Sequence, residues 1–169
     1  MDCCSCIKSG CRSICSFITL ELSNCMSDNL KPSDRQKTMR AVKSKDTKPE
    51  KCLFAMLASM GIRGWRKHAD DVVGKPDVAF DDCKLAIFVD GCFWHGCPVC
   101  QRLLKPQTNQ VYWELKIQRN KERALKYNQQ LQQQGWEVIR IWEHEIQDIS
   151  CREKYKKRLR LLLEKKQNE

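Results

Sequence analysis

The sequence lacks any run of about 18 or more apolar residues, so no segment is predicted to span a membrane. It is also short of acidic side chains, with 21 Asp and Glu against 31 Lys and Arg, which gives a formal net charge of +10. This basic excess favours a polyanionic partner, nucleic acid before a membrane surface. No internal repeat is visible, and a hydrophobic content of 41% argues against a wholly disordered chain. The 169 residues therefore predict one folded domain, with room for an extension.

Residues 1–25 differ in composition from the rest of the chain. They hold six of the 12 cysteines, and their two acidic and two basic side chains balance to no net charge. A disulfide-rich module, a signal peptide, and a non-native or disordered extension are each compatible with this pattern. The last is favoured because few turn residues and no clear cleavage site are present, and because Met26 begins an ordinary polar sequence.

A polar and charged arm is predicted over residues 26–46, where Met39 and Arg40 are the only distinctive residues. A helix is predicted to follow from Thr47. Glu50 completes a Thr-x-x-Glu pattern with Thr47, which is typical of a capping box at a helix N terminus.

Alternating strands and helices are predicted for the remainder of the chain. These are strands over 65–68, 77–80 and 83–89, a long helix over 111–134, a strand over 136–142 and a basic helix over 151–166. Residues 90–110 are irregular and rich in Gly, Cys and Pro, and long loops of this kind are usually functional. The order predicts an α/β domain over residues 47–169, with a small central mixed sheet flanked by helices.

Cys92, Cys97 and Cys100 follow a C-x4-C-x2-C spacing within this loop. Zinc prefers four soft or borderline ligands in a tetrahedron, so one ligand must come from elsewhere. Three residues are candidates for it: His95, His144 and Cys151. Reduced structural thiols, or a redox pair at Cys97 and Cys100, are the alternatives, but three cysteines in one loop of a basic chain favour zinc.

Asp77 begins one predicted strand and Asp90 ends the next. This layout is similar to the metal site of the PD-(D/E)xK nuclease superfamily, although the lysine of that pattern is absent. From this pair of residues alone, a turn cap is the favoured interpretation of Asp77. His95 is suited to accept a proton from an attacking water, or to bind zinc, since it lies between Cys92 and Cys97.

The most specific motif of the chain is Gly-Cys-Phe-Trp-His at Gly91–His95. Further motif positions are Gly74 to Asp77, Trp113, Lys116, Ile117, Asn120 and Trp142 to His144. With them, the chain resembles the very-short-patch-repair (Vsr) mismatch endonucleases from about residue 35 to about residue 149. The resemblance implies a restriction-endonuclease-like fold with a zinc-braced loop. It also implies a Mg²⁺-dependent enzyme that nicks one DNA strand beside a T:G mismatch left by deamination of 5-methylcytosine.

Carried over residue by residue, the resemblance implies an active site and a zinc site. Asp77 and the backbone carbonyl of Val89 are expected to bind Mg²⁺, with His95 as the general base. Glu50 is expected to support His95 or a metal-bound water, unless the capping box alone explains it. Zinc is expected on four residues: Cys92, Cys97, Cys100 and His144.

A DNA-binding surface is implied as well. Exposed aromatic side chains stack well between base pairs, and a T:G step should be easier to open than a matched step. The implied wedge consists of Met39, Phe93, Trp94 and Trp113. Further contacts to DNA are expected from Arg40, Lys116, Arg119 and Asn120, although for any single basic residue a solvated helix face is the alternative.

The chain departs from the family pattern at three places. Asp90 stands where some members have His, which makes it a candidate catalytic, metal-binding or supporting carboxylate. Ala124 stands where the pattern has Asp. Cys97 and Cys100 replace a His and a shifted Cys, an exchange of soft ligands that should retain zinc.

Two other functions remain open: a related nuclease without T:G preference, and a non-catalytic zinc module that binds distorted DNA. The aromatic pair argues against the first, and Asp77 with His95 against the second. The expected partner is double-stranded DNA with a T:G mismatch, with a cytosine-5 methyltransferase or mismatch-repair proteins as further candidates. A cytoplasmic monomer, associated with the nucleoid when bound to DNA, is expected.

Overall fold

A computed structural model describes residues 45–100 and 109–167. The predicted extension over 1–25 lies outside the described residues, as does the arm up to residue 44 with Met39 and Arg40. Within the described part of the chain, no helix combines the length and the apolar character needed to cross a membrane.

The described elements follow the predicted order, with one additional short helix. The helices are α1 (Lys48–Ser59), α2 (Gln110–Gln133), α3 (Glu143–Gln147) and α4 (Ile149–Gln167). The strands are β1 (Arg66–Lys67), β2 (Val78–Phe80), β3 (Leu85–Asp90) and β4 (Glu137–Trp142). Strand β3 begins later than predicted because Cys83 and Lys84 lie in a turn, in which Lys84 has a φ of +46°. Helix α3 was not predicted.

The strands form one mixed sheet in the order β1-β2-β3-β4. The first two pairs are antiparallel, whereas β3 and β4 are parallel. A parallel pair requires a crossover connection, and α2 supplies it. The predicted α/β fold with a small mixed sheet and flanking helices is therefore confirmed.

Each face of the sheet carries its own core, because successive side chains of a strand point to opposite faces. Ile87 of β3 lies in the larger core with Leu57 of α1 and Leu159 of α4. Phe88 points to the other face, where Leu131 of α2 packs in the smaller core. Strand β3 is thus enclosed on both sides, and the loop that carries the predicted site residues begins where it ends.

Helix α2 spans 24 residues, but of its predicted apolar stripe only Leu131 is fully buried. Four other members of the stripe are partly exposed: Trp113, Ile117, Ala124 and Tyr127. At about 1.5 Å per residue the helix is roughly 36 Å long, whereas a strand of β3's length spans about 20 Å. The N-terminal half of α2 therefore reaches beyond the sheet, where it packs on the loop after β3.

The predicted capping box of α1 does not form. Thr47 is the N-cap residue, but its hydroxyl makes no hydrogen bond to the helix backbone. Thr47 Oγ1 instead donates to Oε1 of Glu50 at 2.6 Å. Glu50 is buried, so its carboxylate has tertiary surroundings in addition to this contact with the N-cap side chain. Whether Glu50 serves the active site or only the helix start stays a prediction.

Candidate active site and the adjoining clusters

Asp77 lies immediately before β2, and its carboxylate reaches across to β3. Its Oδ2 accepts a hydrogen bond from the backbone N–H of Val89 at 2.7 Å, so the two residues expected to bind Mg²⁺ are in direct contact. Burial, together with the nearby charge of Glu50, raises the pKa of Asp77 to about 6 despite this bond. A cation beside Asp77 would offset both effects.

Glu50, His68 and Asp77 form a group that we call the carboxylate–imidazole cluster. Each offers one ligand atom, and the three atoms lie within 4.8 Å of one another. Glu50 Oε2 is buried and has no hydrogen-bond partner among the described residues. Because an unpaired buried carboxylate oxygen is costly, and because hard cations prefer oxygen ligands, the cluster fits a divalent cation such as Mg²⁺.

His68 was missed by the sequence reasoning, which placed it at the end of a short strand. Pairing of β1 with β2 brings it to the site, since the backbone N–H of His68 donates to the carbonyl oxygen of Asp77 at 3.0 Å. Nothing in the sequence around His68, a single histidine after a strand of two residues, predicts its contact with Asp77. Only the register between two short strands could have revealed it.

A cleft of about 260 Å³ opens beside Asp77, and it brings together Val89, Asp90, His95 and Asn120. The side chain of His95 is 26% exposed. Burial lowers the pKa of His95, and the charge of Asp90 opposes this effect only in part. A neutral imidazole can accept a proton, as the expected role of general base requires.

Asp90 is held by a residue that the sequence reasoning also missed, Arg140 of β4. Arg140 donates from Nε and Nη2 to the two oxygens of Asp90, at 2.6 and 2.5 Å, and from Nη1 to Asn128. Asp90 Oδ1 also lies 3.6 Å from Nε2 of His95. Since both oxygens of Asp90 are engaged, the arrangement suits a carboxylate that positions His95 better than one that binds Mg²⁺. Arg140 had no distinguishing mark among 31 basic residues.

The second donor group comprises Cys92, Cys97, Cys100 and His144, and we call it the cysteine cluster. Its four ligand atoms lie within 4.8 Å of one another, and His144 Nδ1 is 3.2 Å from the sulfur of Cys92 and 3.6 Å from that of Cys97. His144, and not His95 or Cys151, thus completes the group. Burial raises the pKa of Cys92 to about 12, so a cation is needed to hold it as thiolate. Three sulfurs and one imidazole fit tetrahedral zinc.

Two local features fold the loop that carries this cluster. The backbone N–H of Cys97 donates to the carbonyl of Cys92 at 2.9 Å, which closes the turn. Gly96 has a φ of +59°, and a Cβ there would lie 2.7 Å from side-chain atoms of Ile117 and Lys121, so only glycine allows α2 to approach so closely. Helix α3, which starts directly after β4, turns His144 back toward the loop.

Three residues of the implied wedge meet in what we call the aromatic cluster: Phe93, Trp94 and Trp113. Their ring centroids are 5.0 to 5.9 Å apart, in edge-on or tilted arrangements. Lys116 Nζ lies 5.2 Å from the ring of Trp94 and 5.3 Å from that of Trp113. Asn120 Nδ2 donates to the backbone carbonyl of Trp94 at 2.9 Å. Asn120 therefore braces the loop, while Arg119 is exposed on α2.

Known proteins are similar in sequence to this chain over most of its length. The family model described as DNA mismatch endonuclease Vsr matches residues 27–102. A type II nicking enzyme of Neisseria meningitidis serogroup C, V.NmeDIP, is 38% identical over 135 residues, which are 79% of this chain and 90% of that enzyme. V.NaeI, a type II nicking enzyme of Lentzea aerocolonigenes, is 45% identical over 68% of this chain and 70% of its own length.

The DNA mismatch endonuclease Vsr of Escherichia coli is 36% identical over 70% of this chain and 74% of its own length. The chain belongs to the Vsr family. The resemblance drawn from its motifs is therefore confirmed, and with it the expectation of an endonuclease that acts on DNA. The roles of individual Vsr site residues in this chain stay predictions.

Proposed function

We propose that this Vsr-family chain nicks one strand of double-stranded DNA beside a T:G mismatch, in a reaction that depends on Mg²⁺. The observation that carries the proposal is the junction between the aromatic cluster and the cleft. Trp94 directly precedes His95, and Asn120 both lines the cleft and holds the carbonyl of Trp94. Aromatic side chains that open a weakened base step would therefore bring the adjacent phosphate to the cleft.

Each side chain of the cleft has its own role in the proposed reaction. Mg²⁺, when bound, neutralises charge on the phosphate and lowers the pKa of a water. Asp77 and the carbonyl of Val89 would hold it. His95, kept neutral by burial, accepts the proton of the attacking water, and Asp90 stabilises the imidazolium that results. Arg123 lines the same cleft and is placed to hold a phosphate.

The cysteine cluster has a supporting role in this proposal. Zinc bound there would fix the loop that carries both Trp94 and His95, and productive chemistry requires such groups to be held within about half an ångström. The names of the relatives, nicking enzyme and mismatch endonuclease, support single-strand cleavage.

The test is strand-specific nicking of a labelled duplex with one T:G pair in a cytosine-methylation context, beside a matched T:A duplex. We expect a Mg²⁺-dependent nick next to the mismatched T, and none in the matched duplex. Asp77→Asn should lower the nicking rate by about a thousand-fold or more, while DNA binding persists, because the substitution removes a metal ligand. Asp82→Asn is the matched control, since Asp82 is exposed beyond the far end of β2.

Trp94→Ala should reduce the preference for the mismatched duplex more than it reduces general DNA affinity. Tyr112→Ala is the control, because Tyr112 is 56% exposed and meets the aromatic cluster at Trp113 and the neighbouring Lys116. Equal cleavage of both duplexes would establish a nuclease without T:G preference. Binding without any cleavage would establish a DNA-binding zinc module. A cytosine-5 methyltransferase or mismatch-repair partner, and the monomeric state, stay predictions.

A further inference from the structure

His68 lies in an unusual backbone conformation beside the catalytic carboxylates. Its φ is +48°, a left-handed value that a residue with a side chain adopts at some energetic cost. The hydrogen bond from its backbone to Asp77 fixes this position, and its ring meets Phe54 edge-on at 5.7 Å. Packing and backbone thus hold the imidazole in one place.

The two ring nitrogens of His68 face different carboxylates. Nε2 lies 3.4 Å from Oδ1 of Asp46, close enough to donate a hydrogen bond. Nδ1 lies 3.9 Å from Oε2 of Glu50, which is too long for such a bond. The tautomer with its proton on Nε2 therefore leaves the lone pair of Nδ1 on the side of Glu50. A histidine that ligates a metal has this arrangement, because its other nitrogen usually donates to a carboxylate.

Glu50 supplies an independent observation. Its side chain is 8% exposed, and Oε2 has no hydrogen-bond partner among the described residues. The unpaired oxygen lies 3.9 Å from Nδ1 of His68, and Glu50, His68 and Asp77 each place a ligand atom within 4.8 Å of the other two. An ion bound among the three would satisfy the buried oxygen and the imidazole lone pair together.

We propose that His68 is a nitrogen ligand of the active-site cation, alongside Glu50 and Asp77, and that it shifts the metal preference of the site toward Mn²⁺. This inference rests on the proposed function, in which Asp77 holds the catalytic ion. Mg²⁺ strongly prefers oxygen ligands. Mn²⁺ also binds carboxylates well, but as a transition metal it accepts an imidazole nitrogen more readily than Mg²⁺ does. A site with two carboxylates and one imidazole therefore binds Mn²⁺ in preference to Mg²⁺ by a larger margin than carboxylates alone provide.

The test uses the full-length protein, loaded with one equivalent of zinc and then titrated with Mn²⁺ in the absence of DNA. Pulsed electron paramagnetic resonance detects the coupling of bound Mn²⁺ to the ¹⁴N of a ligating imidazole. His68→Asn is the informative variant, because asparagine tolerates positive φ better than most residues and so preserves the backbone. We expect the ¹⁴N signal in the wild type and in His95→Gln, and its loss in His68→Asn.

Affinity gives the second readout. His68→Asn should weaken Mn²⁺ binding by about 10- to 100-fold and Mg²⁺ binding by much less. A wild-type Mn²⁺ spectrum without ¹⁴N coupling, a signal that persists in His68→Asn, or equal losses for the two metals would each overturn the assignment. Asp77→Asn separates this failure from that of the proposed function. If Mn²⁺ bound to Asp77→Asn as tightly as to the wild type, the metal centre itself would be misplaced.

Discussion

The cysteine cluster and the carboxylate–imidazole cluster differ in how the chain assembles them. Three donors of the cysteine cluster lie in one loop, residues 92–100, and the fourth, His144, follows the strand beside it. Glu50, His68 and Asp77 come from the first turn of α1, the end of β1 and the start of β2. Sulfur dominates the first cluster and oxygen the second, so they suit zinc and a harder cation respectively.

This contrast indicates different dependence on the fold. The carboxylate–imidazole cluster is held by packed elements, since α1 and β2 share the larger core. The cysteine cluster is embedded in irregular backbone, which contacts α2 at Gly96 and Asn120 but whose residues 91–100 belong to no helix or strand. Metal removal should therefore empty the first cluster without structural change, whereas it should loosen the loop around the second.

The largest effect should come from brief EDTA treatment, which removes the hard cation faster than zinc bound by thiolates. We expect nicking to fall by about a thousand-fold or more, zinc content and near-ultraviolet circular dichroism to stay unchanged, and added Mg²⁺ to restore activity. Zinc analysis and activity would be measured on the same samples. Loss of zinc in step with activity would break the distinction between the clusters.

Cys97→Ser should produce the next effect, on stability. Cys97 is fully buried in the cysteine cluster, so the substitution leaves zinc a weaker ligand in a site that organises the loop. We expect zinc content to fall, and the free energy of unfolding measured in urea to decrease by roughly 2–5 kcal/mol. Cys151→Ser is the matched control, because Cys151 is a free cysteine outside the cluster. Similar losses in both variants would argue against a zinc site.

The same contrast explains what the sequence could predict. The fold followed from apolar periodicity, and the cysteine cluster from close spacing along the chain, with His144 supplied by the family resemblance. The register between the strands, and the way α3 turns His144 back toward the loop, could not be predicted from the sequence because both depend on tertiary packing. His68 and Arg140 were missed for that reason: their partners, Asp77 and Asp90, lie on neighbouring strands.

The capping box shows the opposite difficulty. The helix start at Thr47 was predicted correctly, but the local pattern did not reveal that Glu50 is buried and belongs to the carboxylate–imidazole cluster. A motif that has a local explanation can thus hide a tertiary one.

Asp90→Asn should have a smaller effect on stability than Cys97→Ser, because Asp90 lies between the two clusters and belongs to neither. The substitution removes the charge from a carboxylate that is 8% exposed and paired with Arg140, itself 21% exposed. We expect the free energy of unfolding in urea to fall by about 2–4 kcal/mol, because the guanidinium is left without a counter-charge.

Glu153→Gln is the control. It breaks an exposed pair with Lys156 and should change stability very little. Zinc content should be unaffected in both variants, and a loss of zinc in Asp90→Asn would show that the clusters are coupled through Arg140.

Asp148→Ala should have the smallest effect, and it tests whether helix α4 supports the cysteine cluster through the neighbouring α3. Asp148 Oδ1 accepts hydrogen bonds from Ser150 Oγ and from the backbone N–H of Cys151, and these bonds lower the pKa of Asp148 to about 2. A lowered folded-state pKa stabilises the fold above the unfolded value of about 4, and this contribution is lost as pH falls toward 2. We therefore expect the variant to melt at a modestly lower temperature than the wild type. This difference in melting temperature should be constant from pH 8 to about pH 5 and should become smaller at lower pH.

Zinc affinity at pH 7 should be unchanged, since His144 is also positioned by the end of β4. A lower zinc affinity would show that α4 and the cysteine cluster depend on each other. A decrease in melting temperature that does not change with pH would show that Asp148 does not act through its ionised carboxylate.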